Sequence, residues 1–173
     1  MSSPVNICVL STMDSNEVIK ETHALKISNF LGVFAVDQLC AIKNNQIGTM
    51  IVNTDPLHLA GQHWISLCLD DKDIYLYDPL LLNVYKSDFF STFFIRMNKV
   101  LHFNSIKIQR SDSVMCGYHA LVFCFIMKNG GCGQKFKSFL KTFSSYNVSN
   151  REQLSLTYFT IIRKYDSKSD VKS

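Results

Sequence analysis

His63–Leu69 (HWISLCL) is apolar at nearly every position, Asp70–Asp73 (DDKD) is polar, and Ile74–Tyr77 (IYLY) is apolar again. Two such runs around a short polar turn predict a β-hairpin. Pro79 ends its second strand, because proline cannot donate to a ladder. After Ser87, Phe89, Phe93, Met97 and Val100 recur at helical spacing and predict one buried helix face. Ile106–Gln109 reads as a short strand, and 111–115 as a polar turn up to Val114. From Cys116 to about Lys128 the chain is apolar nearly all round, which predicts a buried helix. Asn129-Gly130-Gly131 ends it. Amphipathic helices are expected near 134–143 and 149–164, followed by a polar tail, 166–173, expected to fray. Towards the N-terminus, Asp14 with Glu17 three residues later is a capping-box pattern that starts a helix. Residues 31–54 mix short apolar runs with turn residues and give no assignment. No repeat, low-complexity tract or linker interrupts the pattern. The expectation is one α+β domain over residues 1–173, built on a small mixed sheet flanked by helices.

Composition sharpens that picture. Of 173 residues, 47% are apolar and 13 are Phe, so the core should be rich in aromatic rings. Charged residues are 18%, below the average of about 25%. A net charge of +4 without a run of five basic residues permits nucleic-acid contact but does not demand it. No apolar run is long enough to span a membrane, so none is expected as a partner. Six cysteines (Cys8, Cys40, Cys68, Cys116, Cys124, Cys132) form no CxxC pair, which argues against a zinc site. The opening MSSPVNICVL has no basic region and no long apolar stretch, so it does not read as a secretory signal. The thiols are therefore expected to be reduced and the compartment intracellular.

A reduced thiol can act as a nucleophile, but only as its thiolate. It then needs a base, a group to orient the base, and donors for an oxyanion. Cys116 stands where a polar loop meets a buried helix, so its N–H and thiol would leave the first turn together. Gly117 beside it would let a substrate backbone come close. By contrast, Cys68 and Cys124 lie inside apolar runs and read as core residues. His63 follows Gly61 at a strand start, and Asp78 closes the next strand of the hairpin. Antiparallel pairing places those two ends side by side. Trp64 reads as a packing residue that shields the imidazole. Gln109, just before the loop, could donate to an oxyanion, although alone it reads as a solvated surface residue. His119, one turn past Cys116, would face the core and not serve as the base. His23, His58 and His102 show no partner pattern.

These residues, in this order, resemble the adenovirus maturation protease (adenain) family and, more distantly, the proteases that process SUMO and related modifiers. The likeness is carried by Phe30-Leu31-Gly32, by Ile51-Val52-Asn53-Thr54 followed by Gly61-Gln62-His63-Trp64, and by Tyr75-Leu76-Tyr77-Asp78-Pro79. It continues through Gln109 to Cys116-Gly117 and ends on Asn150-Arg151-Glu152-Gln153-Leu154. It covers roughly residues 30–165. The seven-residue step from Gln109 to Cys116 and the NREQL segment favour the viral branch over the cellular enzymes. Asp78 stands where that family has glutamate. The resemblance implies a papain-like fold with the catalytic cysteine at a helix N-terminus. It implies a triad of His63, Asp78 and Cys116, and an oxyanion hole of Gln109 and the Cys116 N–H. It also implies no metal and no cofactor for the chemistry. The expected substrates are viral capsid and core precursors cut at Gly-Gly or Gly-x-Gly motifs. The expected setting is the virion and the infected-cell nucleus, with a monomeric enzyme. Activation by DNA or by a viral peptide is implied too, although the segment just before Ile106, where the anchoring thiol would be expected, holds no cysteine. Two alternatives remain beside it: an isopeptidase acting on a ubiquitin-like modifier, and an inactive binding module of the same fold.

Overall fold

The computed structural model describes residues 12–169. The predicted hairpin forms the middle of a five-stranded sheet: β1 (Phe30–Ala35), β2 (Gly48–Asn53), β3 (Trp64–Leu69), β4 (Asp73–Tyr77) and β5 (Val100–Phe103), in that spatial order. β2, β3 and β4 pair antiparallel, while β1 and β5 add parallel at the two edges. β1 and β2 come from the stretch that the hydrophobic pattern left unassigned.

Every residue of β3 is buried, because helices cover both faces of the sheet. Parity sorts the side chains. Trp64, Cys68, Tyr75 and Tyr77 face one core, while Ile65, Leu67, Leu69, Ile74 and Leu76 face the other. The first core is closed by α1 (Ser15–Ala24), α3 (Cys116–Met127), α4 (Cys132–Ser144) and α5 (Val148–Ser169). The second is closed by a 3₁₀ turn, Val36–Ala41, and by α2 (Asp88–Met97). The α+β class and the mixed sheet between helices stand as expected. The abundant phenylalanines meet on the first face, where Phe123 stacks on Tyr77 at 5.0 Å and meets Phe136 and Phe139 edge-on.

The capping box at Asp14 and Glu17 is present, each side chain accepting the other's backbone N–H. α3 matches its prediction closely, and Asn129, Gly130 and Gly131 leave it in the left-handed region.

Four expectations change. Phe89 is 48% exposed and Val100 59% exposed, whereas Phe90, Phe93 and Met97 are buried. Phe93 and Met97 lie on the buried face as expected, Phe90 takes the place given to Phe89, and Asn98 (φ 51°) ends the helix before Val100. Ile106–Gln109 is not a strand. The N–H groups of Ile108 and Gln109 both donate to the Pro79 carbonyl, which holds the segment to a corner and keeps it out of a ladder. The tail expected to fray from residue 166 is helical through Ser169, and the last four residues lie outside the described ones.

Finally, Cys68 and Cys132 form a disulfide, against the expectation of reduced thiols throughout. Cys68 on β3 and Cys132 at the start of α4 are buried in one cluster with Cα atoms 6.8 Å apart. Cys40, Cys116 and Cys124 are free, and Cys8 lies outside the described residues.

Candidate active site

The hairpin brings His63 and Asp78 together. Ser66 pairs with Tyr77 in the β3–β4 ladder, so the residue just before β3 lies diagonally across from the residue just after β4. The His63 Nε2–H donates to Asp78 Oδ1 at 2.7 Å. The histidine is 4% exposed and the aspartate 2%. The aspartate is itself held from several sides. Leu80 N–H donates to Oδ1 at 3.0 Å and Leu82 N–H to Oδ2 at 2.6 Å. Asn104, also buried, ties down its main chain: Asn104 Oδ1 accepts from the Asp78 N–H and Asn104 Nδ2 donates to the Asp78 carbonyl, each at 2.8 Å.

The other imidazole nitrogen, Nδ1, is buried and makes no hydrogen bond within the described residues. The Cys116 thiol lies beside the ring. Burial opposes the charged imidazole, but Asp78 and Cys116 outweigh it and raise the pKa to about 9. His63 is therefore an imidazolium at neutral pH, with a carboxylate on one nitrogen and sulfur towards the other. Cys116 is the first residue of α3. Its N-cap, Met115, supplies no side-chain acceptor, so the first-turn N–H groups are left to meet an anion.

Gln109 departs from the solvated reading: it is fully buried. Its Nε2 donates to the Ser113 carbonyl at 2.7 Å, while its Oε1 has no partner within the described residues. A carbonyl only accepts, so the amide must present its NH₂ to this loop. The Ser113 bond uses one of its two hydrogens.

Trp64 and Gly117 serve packing. Trp64 Nε1 donates to the Met13 carbonyl at 2.9 Å, and a Cβ on Gly117 would lie 3.1 Å from Met13 Cβ and Sδ. The close approach that Gly117 allows is thus made by Met13 of the same chain, not by a substrate backbone. His119 faces the core as expected, with Nδ1 2.8 Å from Ser155 Oγ. His102 does have a partner, Asp73 Oδ1 at 2.7 Å, and it stacks on Tyr75.

The pattern of residue types missed Asn104, Met13 and the Pro79 carbonyl. Pro79 was legible only as a strand stop, and no local signal marks the other two. Among the described residues, no cluster of three His, Cys, Asp or Glu side chains is placed to hold a metal ion.

The model for the adenovirus endoprotease family matches residues 30–162. The chain belongs to the adenovirus endoprotease family. It is thus a cysteine-type endopeptidase whose substrates are proteins. The matched span includes all five strands and the three residues at the imidazole. Comparison with curated proteins returns no match.

Proposed function

We propose that this endoprotease matures virions by cutting capsid and core precursor proteins at glycine-containing sites, with Cys116 as nucleophile. The buried imidazolium between Asp78 and Cys116 supports this reading most directly. The Cys116 thiolate adds to the scissile carbonyl carbon, and the carbonyl electrons move onto oxygen. The Gln109 amide and the Cys116 N–H donate to that oxyanion. As the C–N bond breaks, His63 gives its proton to the leaving amine. Water then attacks the thioester. His63 takes the water's proton, the C–S bond breaks, and the acid is released. Asp78 fixes the ring so that Nδ1 faces the sulfur throughout. Preference for Gly-Gly or Gly-x-Gly motifs, stimulation by viral DNA or a peptide, and action in the virion and infected-cell nucleus as a monomer all rest on the family likeness. The +4 charge permits contact with DNA.

Hydrolysis of Gly-x-Gly peptides by the purified wild type and variants tests the assignment. Cys116→Ser should fall to background, and Gln109→Ala by ~100–1,000-fold, as for other oxyanion donors. Full activity in Cys116→Ser would remove the cysteine from the reaction. Cleavage of a modifier conjugate in preference to the peptide would reassign the enzyme as an isopeptidase.

A further inference from the structure

Behind the 109–115 loop, outside the His63–Asp78–Cys116 cluster, a second set of buried polar groups converges. Glu152, on the first turns of α5, points its carboxylate at the loop. Its Oε1 accepts the Arg110 N–H at 3.4 Å, and the Ser113 hydroxyl lies close enough to favour the charged carboxylate. Ser113 is the hub of the loop: its Oγ accepts the Met115 N–H at 3.3 Å, and its carbonyl accepts the Gln109 amide at 2.7 Å. One serine thus links Glu152 to the N-cap of α3 and to the glutamine. On the opposite side, the same Oε1 lies 3.8 Å from His119 Nε2, and Ser155 holds that ring at Nδ1. Burial keeps His119 neutral. Its Nε2–H therefore faces a carboxylate and does not compete with it as a second ion. Neighbouring Arg151 adds a further tie, donating to the Lys107 carbonyl at 3.0 Å.

We propose that Glu152 is a positioning residue for peptide-bond cleavage, holding the 109–115 loop through Arg110 and Ser113 so that the Gln109 amide and the α3 N–H groups meet the developing oxyanion. This rests on Cys116 as nucleophile and Gln109 as oxyanion donor. A carboxylate suits the task because one small acceptor-only group can take two loop donors at once. The loop has no strand or helix of its own to fix it; Pro79 holds its start, and Glu152 on α5 holds it at Arg110.

The test compares two reagents at Cys116. A peptide aldehyde adds to the thiolate as a tetrahedral hemithioacetal and needs the oxyanion donors. Iodoacetamide alkylates the thiolate by displacing iodide and does not. Glu152→Ala should lower kcat by roughly 10- to 100-fold, less than the ~100–1,000-fold for outright loss of an oxyanion donor. KM and the alkylation rate should stay within about twofold, while aldehyde affinity falls in step with kcat. Glu152→Gln keeps an acceptor for the Arg110 N–H and should recover most of the loss. If Glu152→Ala fails to fold, Ser113→Ala carries the same comparison, because it removes the hydroxyl between Glu152 and the Met115 N–H and leaves Glu152 in place. An unchanged kcat, or an alkylation rate that drops along with kcat, overturns the positioning role. Full activity in Cys116→Ser would instead overturn the nucleophile assignment beneath it.

Discussion

The substitution Asp78→Asn separates the charge of the carboxylate from its shape. The oxygen of the new amide can stay where Oδ1 accepts from His63 and Leu80. The amide NH₂ then meets the Leu82 N–H, donor against donor, at a contact now 2.6 Å long. That lost bond costs about 1–3 kcal/mol. The larger effect is on His63. Burial pulls its pKa down, and the Asp78 charge is a main reason that it instead stands at about 9. Without the charge, burial is opposed by Cys116 alone, and the imidazole should titrate far lower, towards the 6.5 of a free histidine. At pH 7.5 a group with a pKa of about 9 is nearly all protonated, and one at 6.5 only about one-tenth. The imidazolium needed to protonate the leaving amine therefore falls ~10-fold at pH 7.5 and roughly 100-fold at pH 8.5. The assay is kcat/KM for a Gly-x-Gly peptide from pH 5.5 to 9.5. The alkaline limb should move from about 9 in the wild type down towards 6.5 in Asp78→Asn. Stability carries the matching sign. A raised folded-state pKa gives stability that is complete below 6.5 and lost as pH rises through about 9. The gap of 9 − 6.5, or 2.5 pH units, corresponds to about 3 kcal/mol. The variant should therefore be most destabilised at low pH, and above 9 only the cost of the lost Leu82 bond should remain. Parallel pH–rate profiles for the two proteins would refute this account of the imidazolium.

Two further perturbations read other parts of the structure. The Cys68–Cys132 disulfide spans 64 residues, so loop-closure entropy gives roughly 4 kcal/mol. Urea unfolding should show a loss of up to that size with dithiothreitol, and a Cys68→Ala/Cys132→Ala variant should no longer respond to the reductant. Gly61 has φ +80° and no room for a Cβ, which would sit 2.1 Å from Asn53 Nδ2. Gly61→Ala should displace the segment that delivers His63, lowering kcat/KM at least tenfold while the thermal midpoint falls by only a few degrees.

The parts of this site that lie close in sequence were legible before the fold was known. The hairpin placed His63 beside Asp78 because its polar turn is short and its two strands are unmistakably apolar. The α3 boundary placed Cys116, because an all-apolar run can begin only where a polar loop ends. At Phe89 the predicted face failed by one residue because α2 is apolar at Phe89, Phe90, Phe93 and Phe94, so periodicity alone does not decide between neighbours. Gln109 looked solvated because its partners, Ser113 and Pro79, show themselves only when the chain folds back. The disulfide was illegible for the same reason: both cysteines sit in apolar surroundings, and nothing local reveals that β3 and the start of α4 meet. Long-range polar bonds such as Asn104 to Asp78 have no periodic signature at all.

The stitching at Asp78 and Pro79 bears on how such a chain can change over time. Residues 80–103, carrying α2 and β5, leave the site at one point and return to the same point. Asn104 bonds back to Asp78 across 26 positions, and the Pro79 carbonyl takes the Ile108 and Gln109 N–H groups. The acid and the glutamine are therefore spaced by this knot and not by the length of chain between them. Insertions or losses between Leu82 and β5 would therefore leave Asp78 and Gln109 in register.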